Sequence, residues 1–103
     1  MISNTPKPPY YAVIFTSLRT EVDNGYSKMA DRMVELAEQQ KGFLGIESAR
    51  EEVGITVSYW KDLESIKLWK SNAEHINAQE KGHNIWYSNF KVRISKVEND
   101  YGI

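Results

Sequence analysis

FLGIESAREEVGITVSYWK, residues 43–61, is the stretch that decides the fold. Phe43 to Glu52 alternates as a half-buried strand, with Leu44, Ile46 and Ser48 on one side. Ile55 to Lys61 alternates again, setting Ile55, Val57 and Tyr59 against Thr56, Ser58 and Trp60. Only Val53-Gly54 lies between them, so the two segments read as an antiparallel hairpin joined at that dipeptide.

Helical periodicity flanks the hairpin on both sides. Upstream, Tyr26, Met29, Ala30, Met33, Leu36 and Ala37 fall on one face of a helix running to Gln40, and Lys41-Gly42 supplies a cation and a left-handed cap to end it. Downstream, Asp62 caps a helix with Ser65 three residues on. Leu63, Ile66, Trp69, Ala73 and Ile76 recur at three- and four-residue intervals, with a bend expected near Ser71-Asn72 and a stop at Gly82. Two outer strands complete the pattern: Tyr10–Arg19 (YYAVIFTSLR), followed by the turn TEVDNG, and Trp86–Val97 (WYSNFKVRISKV). The order β-α-β-β-α-β predicts an α+β, ferredoxin-like domain: a four-stranded antiparallel sheet with two helices on one face. The proline-bearing residues 1–9 are expected to form a flexible arm, 10–98 the domain, and 99–103 a short tail.

In this architecture helices cover one sheet face only. The first strand nevertheless carries apolar or aromatic groups on both sides, Tyr10, Ala12 and Ile14 against Tyr11, Val13 and Phe15. Both faces want burial, and packing two sheets face to face supplies it. The expectation is a homodimer, a dimeric α/β barrel.

Composition narrows the function. Thirteen Lys and Arg against fourteen Asp and Glu give a net charge of −1, no electrostatic case for nucleic acid or an anionic membrane. No cysteine is present, which removes disulfides, thiolate catalysis and Cys-ligated metals. The N-terminus lacks an apolar leader segment and no apolar run reaches membrane-spanning length, so a cytoplasmic, membrane-free protein is expected. There is no Gly-rich phosphate loop and no nucleophile elbow, and His75 and His83 lack metalloprotease spacing. No metal is expected. Aromatic residues make up 12% of the chain and are interleaved with polar ones, as suits a core, a pocket wall or an interface.

The richest segment runs from Ser58 to Tyr87 and holds all three tryptophans and both histidines. Tyr59-Trp60-Lys61, Trp69-Lys70, Asn72, Glu74-His75, Ala78-Gln79, Gly82 and Trp86-Tyr87, together with Gly42-Phe43-Leu44-Gly45 and Glu47-Ser48, resemble the antibiotic biosynthesis monooxygenase family across Tyr10 to Val97. The resemblance implies a ferredoxin-like dimer. It also implies kinship with cofactor-independent oxygenases of polyketide quinols, quinol monooxygenases and haem-degrading monooxygenases. Trp69 matches the tryptophan that presses on haem in the last group. Gln79 stands where that group has its axial histidine, and Thr16 and Ser17 stand where its first strand supplies an asparagine.

The leading expectation is therefore a monooxygenase that needs no cofactor and acts on an aromatic or quinol-like small molecule. Trp60, Trp69, Trp86, Tyr59 and Gln79 would line the pocket, and His75 would accept the proton, histidine being the side-chain type that titrates nearest neutrality. One alternative is a non-catalytic dimeric small-ligand-binding or stress-response module. A second is a haem-binding or haem-degrading monooxygenase.

Overall fold

The computed structural model describes residues 1–80 and 83–103; the side chains of 76–80, 83 and 84 lie outside the description. The elements are β1 (Tyr10–Arg19), α1 (Tyr26–Glu38), β2 (Phe43–Arg50), β3 (Val53–Trp60), α2 (Leu63–Glu80), the short α3 (His83–Trp86) and β4 (Tyr87–Val97). The four strands form one antiparallel sheet in the order β2-β3-β1-β4. This is the expected ferredoxin-like fold, with the central β1 and β3 paired from Tyr11↔Trp60 to Leu18↔Val53.

Four local readings change. The hairpin turns at Glu51-Glu52, and Val53 and Gly54 belong to β3. The valine's β-preference and its pairing to Leu18 outweigh the turn signal of the adjacent glycine. Trp86 ends a short helix instead of opening the last strand. The helix following Asp62 runs unbroken through Ser71-Asn72, and its expected stop at Gly82 lies outside the described residues. Finally, Gly42 is no left-handed cap. The positive φ falls on Gly25, at 80°, which opens α1. Gly42 matters for another reason: a Cβ there would collide with Ser65 at the start of α2, and its carbonyl accepts the Lys61 amide at 2.8 Å. The Asp62 cap is as expected, its carboxylate accepting the Ser65 amide at 2.8 Å.

Strand alternation sorts side chains onto two faces. Tyr11, Val13, Phe15 and Ser17 of β1 share the helix-covered face with Thr56, Ser58 and Trp60 of β3 and, through the register, with Phe90, Val92 and Ile94 of β4. The core is built here: Val13, Ala37, Trp60 and Ile66 are buried together, and Tyr11, Phe43 and Trp69 pack on them. The opposite face carries Tyr10, Ala12, Ile14, Thr16 and Leu18 beside Val53, Ile55, Val57 and Tyr59.

The N-terminal arm lies against one end of that second face. The Ser3 amide donates to Glu47 at 2.8 Å and its hydroxyl donates to the Ile46 carbonyl at 3.1 Å. Tyr59 donates to the other Glu47 oxygen at 2.7 Å, and Tyr10 donates to Asp100 of the tail at 2.5 Å.

This network has a definite pH signature. The Tyr59 hydroxyl and the Ser3 amide hold Glu47 below the usual carboxylate range, so its contribution to stability is present above that range and is lost as pH falls through the lowered value. Burial, then Glu47, push Tyr59 up to about 12, so its contribution is complete below about 10 and disappears as pH rises towards 12. The melting-temperature difference between wild type and Tyr59→Phe is expected to be widest near neutrality and to shrink at both extremes. A difference that does not vary with pH would contradict the assignment.

Candidate functional site

The helix layer does not cover its sheet face evenly. Where β3 and β1 meet the helices packing is close: Trp60 is 0% exposed and Val13 is buried, whereas Phe15 and Thr56 are half-buried. Along β4, on the same face, Phe90, Val92 and Ile94 remain 41%, 46% and 50% exposed. Apolar side chains left open on a face that a helix should fill mark a trough rather than a failed core.

Aromatic rings wall the trough at both ends. At one end Trp69 of α2 lies 5.3 Å from Trp60, with Phe43 edge-on to Trp60 at 5.6 Å. Trp60 satisfies its own indole N–H by donating to Ser58 at 2.8 Å. The Trp69 indole N–H is buried and has no partner among the described residues.

At the other end Phe15 meets Tyr87 at 5.4 Å and Phe90 at 5.6 Å, and Tyr87 meets Tyr26 of α1 at 5.8 Å. The Tyr87 and Tyr26 hydroxyls are 3.3 Å apart. Burial and the Tyr26 hydroxyl raise the Tyr87 pKa, and the Arg50 and Arg19 charges oppose them. Arg19 stacks 3.3 Å from the Tyr26 ring centre while donating to the Trp86 carbonyl and to Asp23. It is fully engaged in holding α1 and α3 to the sheet.

The structure brings together only part of the expected site. Trp60 and Trp69 are neighbours, but Trp60 is inaccessible and acts as the support behind Trp69. Trp86 lies at the far end: Tyr11 pairs with Trp60 and Arg19 with Tyr87, which separates the two ends by roughly 26 Å. There Trp86 donates to the Asn24 carbonyl at 2.9 Å and lines a separate hollow of about 800 Å³ beside α1, with Lys28, Met29, Asp31 and Glu35. Tyr59 points to the other sheet face, edge-on to Tyr10 at 5.8 Å.

His75 is exposed and sits roughly 180° around α2 from the buried Ile66, away from Trp69. The Gln79 side chain lies outside the described residues. The residues that sequence reading passed over are Phe15, Tyr26, Phe90, Val92 and Ile94. Their alternation was visible, but which face stays open depends on where α2 lies.

Among the described residues no cluster of three His, Asp or Glu could hold a metal ion, and no helix is long and apolar enough to cross a membrane. His75 does not share the Trp69 side of α2, and the His83 side chain lies outside the described residues.

Comparison with known proteins adds family and fold. The model of the monooxygenase af470-like family matches residues 13–101. The uncharacterized protein YqjZ of Bacillus subtilis (strain 168) is 52% identical over 99 residues, spanning 94% of this chain and 87% of YqjZ. Among solved structures, SnoaB from Streptomyces nogalater, described as a cofactor-independent oxygenase, superposes with a TM-score of 0.72 at 8% identity, covering 88% of this chain and 95% of SnoaB. A Chloroflexus aurantiacus protein provisionally assigned to the antibiotic biosynthesis monooxygenases gives 0.62 at 18% identity, covering 91% and 98%.

Proposed function

Because this chain belongs to the monooxygenase af470-like family, we propose that it is a monooxygenase acting on an aromatic or quinol-like small molecule without a cofactor. The observation that carries this reading is the trough of Phe90, Val92 and Ile94, open between aromatic walls on the helix-covered face. A flat ring placed there would stack against Phe15 and Phe90. SnoaB, the cofactor-independent oxygenase of like fold, supports the same chemistry.

The reaction asks little of the protein. A quinol-type substrate loses a proton and its electron-rich anion reduces dioxygen. One oxygen atom joins the ring carbon that gives up hydrogen, the other leaves as water, and the substrate supplies every electron. The trough's part is to orient the ring and exclude bulk water. With His75 outside the trough, the proton passes to solvent once the anion is stabilised in place. His75→Ala is therefore expected to keep oxygen uptake within about twofold of wild type; a loss of about a hundredfold would make it the general base.

The test of the reading is oxygen consumption by the purified, chelator-treated protein with a panel of naphthoquinols and anthrones. Saturable uptake above the uncatalysed rate is expected, and its absence with every substrate would leave a non-catalytic binding module as the better reading.

A homodimer belongs to the same proposal. Leu18, Val53 and Ile55 are exposed together on the sheet face that no helix covers, and a second sheet would bury them. Light scattering should give about twice 11.9 kDa; a stable monomer at micromolar concentration would exclude the barrel.

A further inference from the structure

One row of the sheet carries a cation at the edge of the apolar trough. Arg50 pairs with Gly54, Gly54 with Ser17 and Ser17 with Phe90, so these four residues cross β2, β3, β1 and β4 in register. The Arg50 side chain lies flat along this row. A Cβ on Gly54 would overlap its Nη2, Cζ and Nε atoms, so the missing side chain is what gives the guanidinium its bed. At its end Nη2 donates to the buried hydroxyl of Ser17.

A guanidinium has five N–H groups, and Arg50 has no salt bridge among the described residues. Ser17 takes one donor, which together with the bed on Gly54 sets the plane, and among the described residues the others have no acceptor. The next row inward is Thr56, Phe15 and Val92, which is trough floor. Arg50, an exposed residue whose guanidinium reaches Ser17, thus stands as a planar cation where the aromatic trough ends, near Tyr87 and one strand from Phe90.

Planar guanidinium groups match oxyanions bidentately. We propose that Arg50, seated on Gly54 and held by Ser17, is an oxyanion-binding residue that selects aromatic substrates bearing a carboxylate or an ionised ring hydroxyl. This rests on the proposed trough and names the class of molecule it takes. The ring would lie over Phe15, Phe90 and Val92 with its oxyanion at Arg50. For a quinol, the same contact would favour the ionised form that reacts with oxygen.

The experiment is an amide chemical-shift titration of the full chain with 1-naphthoate and with its neutral isostere 1-naphthamide. Wild type is expected to bind naphthoate about tenfold more tightly than naphthamide, with the largest shifts at Ser17, Gly54 and Phe90. Arg50→Gln should erase the preference by weakening naphthoate alone, and Arg50→Lys should restore part of it. Gly54→Ala, whose methyl group takes the guanidinium's place, should mimic Arg50→Gln while Arg50 is still present.

Equal affinity for the two probes in wild type, an undiminished preference in Arg50→Gln, or no shift along this row with either probe would each overturn the proposal. Oxygen uptake plays no part in the titration. If naphthoate binds at Arg50 and no quinol is oxidised, the monooxygenase reading fails and this one stands.

Discussion

Trp60→Ala should cost about 3–5 kcal/mol of folding stability, the usual range for deleting a buried large aromatic side chain. Trp60 is the only tryptophan with no exposed surface. Its ring touches Phe43 and Trp69, and it packs with Val13, Ala37 and Ile66, which joins β3 to both helices. Removing it also strips Ser58 of the N–H donated at 2.8 Å and leaves the buried hydroxyl one partner short. For a domain whose total stability is about 5–15 kcal/mol, chemical denaturation should show the midpoint falling by about a fifth or more. A cost below about 1 kcal/mol would mean that Trp60 does not carry the core.

The second large effect is functional. Val92 sits mid-trough and is nearly half exposed, so Val92→Trp has room to fold, with stability within about 0.5 kcal/mol of wild type. The indole would occupy the space over Phe15 that a substrate ring needs. Oxygen uptake is expected to fall about a hundredfold in kcat/KM, equivalent to about 2.7 kcal/mol of lost transition-state stabilisation. A variant that folds and turns over normally would place the reaction elsewhere. The comparison is Leu68→Trp, at a 57% exposed position on the outer side of α2, which should leave kcat/KM unchanged if the trough alone holds substrate.

The element order was legible because alternation and helical spacing report local geometry, and the fold follows from their sequence. Gly54 shows where local signals mislead. It reads as a turn, yet the charged pair Glu51-Glu52 makes the turn, and the glycine sits in a strand where a neighbouring arginine needs its space. Tyr59 and Trp60 show a second limit. Their alternation already placed them on opposite faces, so no single pocket between helices and sheet could hold both.

Trp86 follows Trp60 closely in the same aromatic-rich segment but lies at the other end of the sheet, because α2 runs the length of the domain between them. The imidazole of His75 suits proton transfer, but α2 turns it outward. The Arg50-Gly54-Ser17-Phe90 row draws on four strands and three pairings, and register of that kind is set by tertiary packing and not by any local pattern.

The most direct measurement is turnover of a naphthoquinol under oxygen-18 gas, with the product read by mass spectrometry. A monooxygenase working in the trough should place one labelled atom in each product molecule and send the other to water, and Val92→Trp should suppress this labelling. Product that carries no label, or labelling that persists undiminished in Val92→Trp, would contradict the account.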